Sequence, residues 1–363
     1  MQGGIKDTVA MPLLPSRKTI CRSFDSVYFP RPAYPSMLLL RPLFQSAKRV
    51  CWAWWAVALL TGGTSATAQV PTQAAATALT SAPDTVQAAP SPDARLLSRR
   101  LPVLAGGLAV GYTGTLYLLG QAWYTGEKTR LHWFNDLPEW KQMDKAGHFW
   151  GAFHESRAAV DMLRWAGVPD RKAIWYGGFV GFLLQSPIEL LDGRDPQYGA
   201  SATDLAANFL GSVGLIGQQL AWNEVRIMPK YSFHTTRYAG LRPNVLGKSL
   251  GEQYLKDYNG QTYWLCADVG AWLPATSRWP RWLQPAVGYG AQQMVYNDPD
   301  ANAALGLSPY RQFYLSLDVD LRKIPTRSKL LKRVFYVASI FHLPAPALEW
   351  NPRRGLVAHG LYY

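Results

Sequence analysis

Between Asp144 and Gly211, polar residues recur at helical spacing inside otherwise apolar sequence. At about 100° per residue, Asp144, His148, Gly151 and Glu155 fall within about 60° of arc on one predicted helix. Gln185, Glu189 and Asp192 share a face on a second predicted helix, which follows an uncharged run from Ala173 to Leu184. Ser201, Asp204, Asn208 and Gly211 lie within about 80° of arc on a third. A polar stripe on an apolar helix reverses the usual surface pattern. Because an unpaired buried carboxylate is very costly, the three stripes are expected to face one another. The expected buried polar cluster is Asp144, Lys145, His148, Glu189, Asp192, Ser201, Asp204 and Asn208.

The rest of the chain divides by period. Leu101 to Thr125 is uncharged, contains five glycines and is long enough to span a bilayer or to sit closely packed in a bundle; Leu205 to Asn223 is a marginal span. Gly167 and Pro169 end the first site helix, and Pro187 predicts a kink before Glu189. After Pro229 the pattern alternates. Phe313, Leu315, Leu317, Val319 and Leu321 interleave with Tyr314, Ser316, Asp318, Asp320 and Arg322, which predicts a strand with one wet face carrying Asp318 and Asp320. Residues 261–273, 283–296, 330–341 and 356–363 read similarly. The fold class is therefore α+β, a helical bundle of about four apolar helices over 95–229 followed by an antiparallel β-meander of about five strands over 230–363. Bacterial barrels need about eight strands in one chain, so the meander is expected to pack on the helices, with a partner or lipid covering the rest.

The N-terminal part changes the picture by adding an address. Arg41, Lys48 and Arg49 precede an apolar run from Val50 to Leu60, and Ala66, Thr67 and Ala68 precede Gln69. This is the pattern of a secretory signal peptide. Residues 1–68 are read as an upstream segment plus that signal, and 69–94, rich in Ala, Pro and Thr, as a disordered linker. Hydrophobic residues make up 48% and charged residues 17% of the chain, an apolar balance that suits membrane association. Eight of the 37 basic and two of the 24 acidic residues precede Gln69, leaving 29 against 22, or +7. That excess favours adhesion to an anionic surface. Without a basic run interleaved with aromatics, nucleic acid is excluded as a partner. Cys266 stands alone after the proposed cut, so no internal disulfide forms there.

The candidate chemistry is metal or acid–base. Asp144 and His148 at i, i+4 could both hold a metal, or the acid could tune the imidazole. Glu189 and Asp192 could complete a metal site or act as an acid/base pair. The metal candidates are Asp144, His148, Glu189 and Asp204, and a divalent ion is the cofactor they would take. The catalytic candidates are His148, Asp144, Glu189 and Asp192, with no residue committed to catalysis. Against these stand structural roles: Asp144 orienting His148, Glu189 and Asp192 paired with basic neighbours, and Ser201 and Asp204 forming a capping box. His154, about 80° off the shared face, is expected at the boundary. No Gly-rich loop follows a strand, and neither a nucleophile elbow nor paired cysteines occur, so nucleotide, serine-hydrolase and zinc-finger readings lack support.

The order Asp144, Lys145, His148 and Phe149, then Glu189 with Asp192 and Gly193, then Ser201, Asp204, Asn208 and Gly211 resembles the YfiM-type family of predicted periplasmic proteins of unknown function (domain of unknown function 2279). The run from Lys256 to Trp264 is similar to its longer members. The resemblance covers roughly residues 95–363, and the chain lacks the lipobox of that type. A looser likeness is to VanZ-type membrane proteins. The resemblance implies an exported protein on the periplasmic side of the envelope and supplies no reaction. The expected function is a noncatalytic, outer-membrane-associated structural or binding module contacting a membrane or envelope component, with a protein partner or homo-oligomer formed through the β region. The alternative is a metal-dependent envelope hydrolase acting on a lipid or cell-wall substrate.

Overall fold

The computed structural model describes residues 92–123, 128–196 and 199–363. The upstream segment, the signal peptide and the linker up to residue 91 lie outside the described residues. Helices come first: α1 (Pro92–Trp123), α2 (Met143–Trp165), α3 (Asp170–Gly178), α4 (Val180–Asp192) and α5 (Ala202–Trp222). α1 already includes residues 92–94, the last positions of the predicted linker. Where the sequence predicts one helix through Ala173 to Asp192, the structure breaks it at Phe179. The hydroxyls of Ser156 on α2 and Ser212 on α5 accept the Gly181 and Phe182 N–H groups at 3.0 and 2.9 Å. They satisfy donors that a helix start leaves open.

Glycine sets how closely these helices cross. A Cβ on Gly181 of α4 would lie 2.0 Å from the Ala152 carbonyl oxygen, and one on Gly211 of α5 would lie 2.4 Å from that of Phe149. In α1, by contrast, Gly106, Gly107 and Gly114 face open space. No helix among the described residues is long and apolar enough to cross a membrane.

The sheet has six strands instead of about five. β1 (Ile227–Phe233), β2 (Gln261–Ala267), β3 (Leu283–Gln292), β4 (Tyr310–Val319), β5 (Ala345–Asn351) and β6 (Gly355–Tyr362) pair antiparallel in chain order. β1 and β5, interrupted by Pro229 and Pro346, escape the alternation rule. The predicted strand at 330–341 is instead helix α6 (Lys329–Ala338), capped by Ser328, whose hydroxyl accepts the Leu331 N–H at 3.2 Å. Leu330, Leu331, Val334, Phe335 and Ala338 follow a period of three to four, and the cap decides for helix.

The larger departure concerns which face of the sheet is covered. Along β4, Gln312, Tyr314, Ser316 and Asp318 are buried, whereas Phe313, Leu315 and Leu317 are 45%, 56% and 47% exposed. Register carries the apolar side across the strands, with Leu265 opposite Val287, Val287 opposite Leu315, and Leu315 opposite Leu348. A second row joins Tyr289, Phe313, Trp350 and Leu356. The sheet curls around its polar side. Lys230 on β1 forms an ion pair with Asp318 on β4, although two strands separate them. The Thr262 hydroxyl of β2 lies 2.9 Å from that of Tyr362 on β6, and the Trp264, Tyr314 and Tyr362 rings pack between them. Asp318 and Asp320, read as solvated, are therefore buried, the latter paired with Arg322 at 2.8 Å. A period of two defines two faces without saying which is covered.

The helices rest on the outward side of β1–β3. Tyr231 packs on Trp150 at 5.6 Å, and the Tyr289 hydroxyl donates to the Lys141 carbonyl. His154 is buried at this seam, its Nε2 2.7 Å from the Pro229 carbonyl oxygen, so it is not a boundary residue. Burial, aided by the charge of Arg157, pushes its pKa down to about 3. Phe153, Val160, Ile174, Leu215, Ile216 and Met228 form the core between helices and β1.

Candidate functional site

The site begins with an unusual approach to α2. Trp140, Lys141 and Gln142 have φ values of 45°, 53° and 63°, a left-handed turn that costs L-residues about 1–2 kcal/mol each. The Trp140 ring on Tyr258, 5.4 Å between centroids, and the Tyr289–Lys141 hydrogen bond hold it. Just before this turn, Asp136 joins the first turn of α2 and the start of α5. It accepts hydrogen bonds from Lys145 and, at 2.7 and 2.9 Å, from the Ser201 and Thr203 hydroxyls. Burial raises its pKa, but the bonds from Lys145 and Ser201 outweigh that and hold the carboxyl at about 2.

Lys145 sits among three acids, Asp136, Asp144 at 2.9 Å and Asp204 at 2.8 Å. Burial opposes its charge, yet the Asp144 charge and the three hydrogen bonds raise its pKa overall. One turn along α2, His148 Nδ1 faces two amide oxygens, Asn208 Oδ1 at 3.0 Å and Gln185 Oε1 at 3.3 Å. Its Nε2 faces Glu189 Oε1 at 3.7 Å and Asp204 Oδ2 at 3.8 Å. The imidazole is 24% exposed, whereas the two carboxylates are 3% and 8% exposed, so the site opens to solvent past His148.

Burial raises Glu189 to about 7, with His148 opposing and Asp204 and Asp192 adding to the rise. Asp204 rises to about 6, again by burial first, against His148 and Lys145. Behind them, Gln185 Nε2 donates to Glu155 at 3.3 Å, and burial lifts Glu155 to about 8.

The capping box is half formed. Ser201 Oγ accepts the Asp204 N–H at 3.0 Å, as the spacing predicts. The reciprocal bond is missing, because the Ser201 N–H donates to Glu189 Oε2 at 3.3 Å while Asp204 turns to Lys145 and His148. Asp144, Lys145, His148, Glu189, Ser201, Asp204 and Asn208 thus converge. Asp192 is half-buried and enters through its charge on Glu189. Sequence reading missed Asp136, since its segment has no period, and Tyr258, whose buried hydroxyl feels the charges of Asp144, Asp204 and Asp136.

Two sets could hold a cation. Asp136, Asp144 and Asp204 form one, and His148, Glu189 and Asp204 the other. Lys145 already lies within the first. A cavity of about 500 Å³ lined by His234, Thr236, Arg237, Tyr310, Arg353 and Arg354 includes none of these residues. With such a donor set the cluster can bind a cation or, through one bridging water, pass a proton between Glu189 and His148. No family profile, curated protein or solved structure matches the chain.

Proposed function

We propose that this chain is an exported cell-envelope protein, a noncatalytic structural or binding module that lies against a lipid surface on the periplasmic side, at the outer membrane. One observation carries the reading: the sheet buries its polar side and exposes its apolar side. In water that arrangement is unfavourable by roughly 25 cal/mol for each Å² of apolar surface left wet, and contact with acyl chains removes the cost. Outer-membrane strands alternate in the same sense, apolar outward and polar inward, with aromatic girdles. The helices add apolar side chains of their own, with Val110, Tyr176, Leu183 and Leu210 each more than half exposed. The positive balance left after signal removal agrees with an anionic surface, and the YfiM-type resemblance agrees with an envelope location.

The test is vesicle flotation of the full chain with phosphatidylethanolamine/phosphatidylglycerol vesicles. Wild type is expected to float, and Leu315→Asp with Leu348→Asp to stay in the dense fraction with an unchanged circular dichroism spectrum. Failure of the wild type to float removes the lipid reading. A stable dimer that these changes dissociate would assign the face to a second copy of the chain. A second reading, a metal-dependent hydrolase of a lipid or cell-wall substrate, is favoured by the convergence of His148, Glu189 and Asp204 beside a solvent-exposed imidazole edge.

A further inference from the structure

We infer that His148, Glu189 and Asp204 form a binding site for a single divalent transition-metal ion of the zinc or manganese class. The spacing separates this from a hydrogen-bonded cluster. His148 Nε2 stands 3.7 and 3.8 Å from the two carboxylate oxygens, beyond a hydrogen bond. The three ligand atoms all lie within 4.8 Å of one another. The centre of such a triangle is about 2.0–2.4 Å from each corner, which is the length of a zinc–nitrogen or zinc–oxygen bond.

The tautomer points the same way. Two amide oxygens face Nδ1, so Nδ1 carries a proton and Nε2 is the ring atom that faces the two carboxyl groups. Three ligand atoms grouped around one point suit a cation. Each ligand is also held from behind, as metal ligands are. Asn208 and Gln185 fix the ring, the Ser201 N–H fixes Glu189, and Lys145 fixes Asp204. Three carboxylates, Asp136, Asp144 and Asp204, share the Lys145 ammonium, and Glu189 is not among its partners. Asn208 is fully buried, and its Nδ2 has no hydrogen-bond partner, although Oδ1 of the same amide bonds the ring. Three protein ligands leave coordination positions open, as in sites where a metal handles exchangeable ligands.

The inference does not depend on lipid contact and is read without vesicles, so either can fail alone. Full-length protein stripped with EDTA is titrated calorimetrically with Zn²⁺ and separately with Mn²⁺ at pH 8. One equivalent of at least one of these ions is expected to bind. Glu189→Gln and His148→Ala are expected to weaken binding at least 100-fold, and Asn208→Ala 10- to 100-fold. Asp300→Asn, an exposed change between β3 and β4, is expected to bind as wild type does. Circular dichroism checks each fold, and Asp204→Asn replaces any triad variant that does not fold. No stoichiometric uptake of either ion by folded wild type overturns the site, as does unchanged affinity in folded Glu189→Gln or Asp204→Asn.

Discussion

Glu189 and Asp204 hold protons that they would shed in water, and this gives the site a pH signature. Unfolded, Glu189 loses its proton near 4.5; folded, it keeps it up to about 7. The folded state binds more protons between those values, so this group's contribution falls as pH rises through the window, by up to about 3 kcal/mol shared with Asp204. His154 runs the other way, because its lowered pKa makes the fold gain stability as pH rises toward 6.5. Comparing wild type with Glu189→Gln at each pH cancels the His154 contribution. In EDTA, Glu189→Gln is expected to match wild type near pH 5 and to exceed it by about 2–3 kcal/mol near pH 8, measured by urea unfolding. A difference that does not change with pH would refute the assigned burial effect. At this scale much of the site is legible from sequence. Asp144, His148, Glu189, Asp204 and Asn208 are polar positions that share helix faces at a period of 3.6, and burial forces such groups to find one another. Asp136 is not legible, because a left-handed turn with no sequence period delivers it.

Between elements, the curl of the sheet depends on a pair that no local rule predicts. Lys230 and Asp318 are both buried and stand on strands that are not neighbours. Removing one partner leaves a lone charge in a water-poor interior, so Lys230→Met is expected to cost about 3–5 kcal/mol in chemical denaturation. Lys230→Met with Asp318→Leu should recover most of that loss, since two apolar groups leave no charge unpaired. A double variant no better than the single one would mean that the pair is not what closes the sheet. The strand at β4 was readable from its alternation, and its outward and inward sets were assigned correctly to two faces. Which face met water was not readable, because that depends on curvature contributed by five other strands. In α6, the Ser328 cap and a three-to-four period compete with a β-like run of Val, Phe and Tyr, and the capped helix prevails.

For the whole molecule, helices and sheet are joined by a shared seam. His154 bonds the Pro229 carbonyl, Arg157 reaches Ser339 at 3.2 Å, and Tyr289 holds the turn that precedes α2. Residues 95–226 made without the sheet are expected to lose cooperative thermal unfolding by circular dichroism, because Phe153 and Val160 share their core with Met228 of β1. A fragment that melts as sharply as the full chain would show that the seam is dispensable. The order of helices before strands, the antiparallel meander and the helical members of the polar cluster follow from the sequence, because the periods of 3.6 and 2 and the cost of burying charge act locally or through composition. Tertiary structure alone decided that the sheet closes over its polar face and leaves leucine, phenylalanine and tryptophan outside. It also set the 3.7 and 3.8 Å gaps at His148 Nε2. Both depend on how distant segments curve and cross, and chain periodicity carries no information about that.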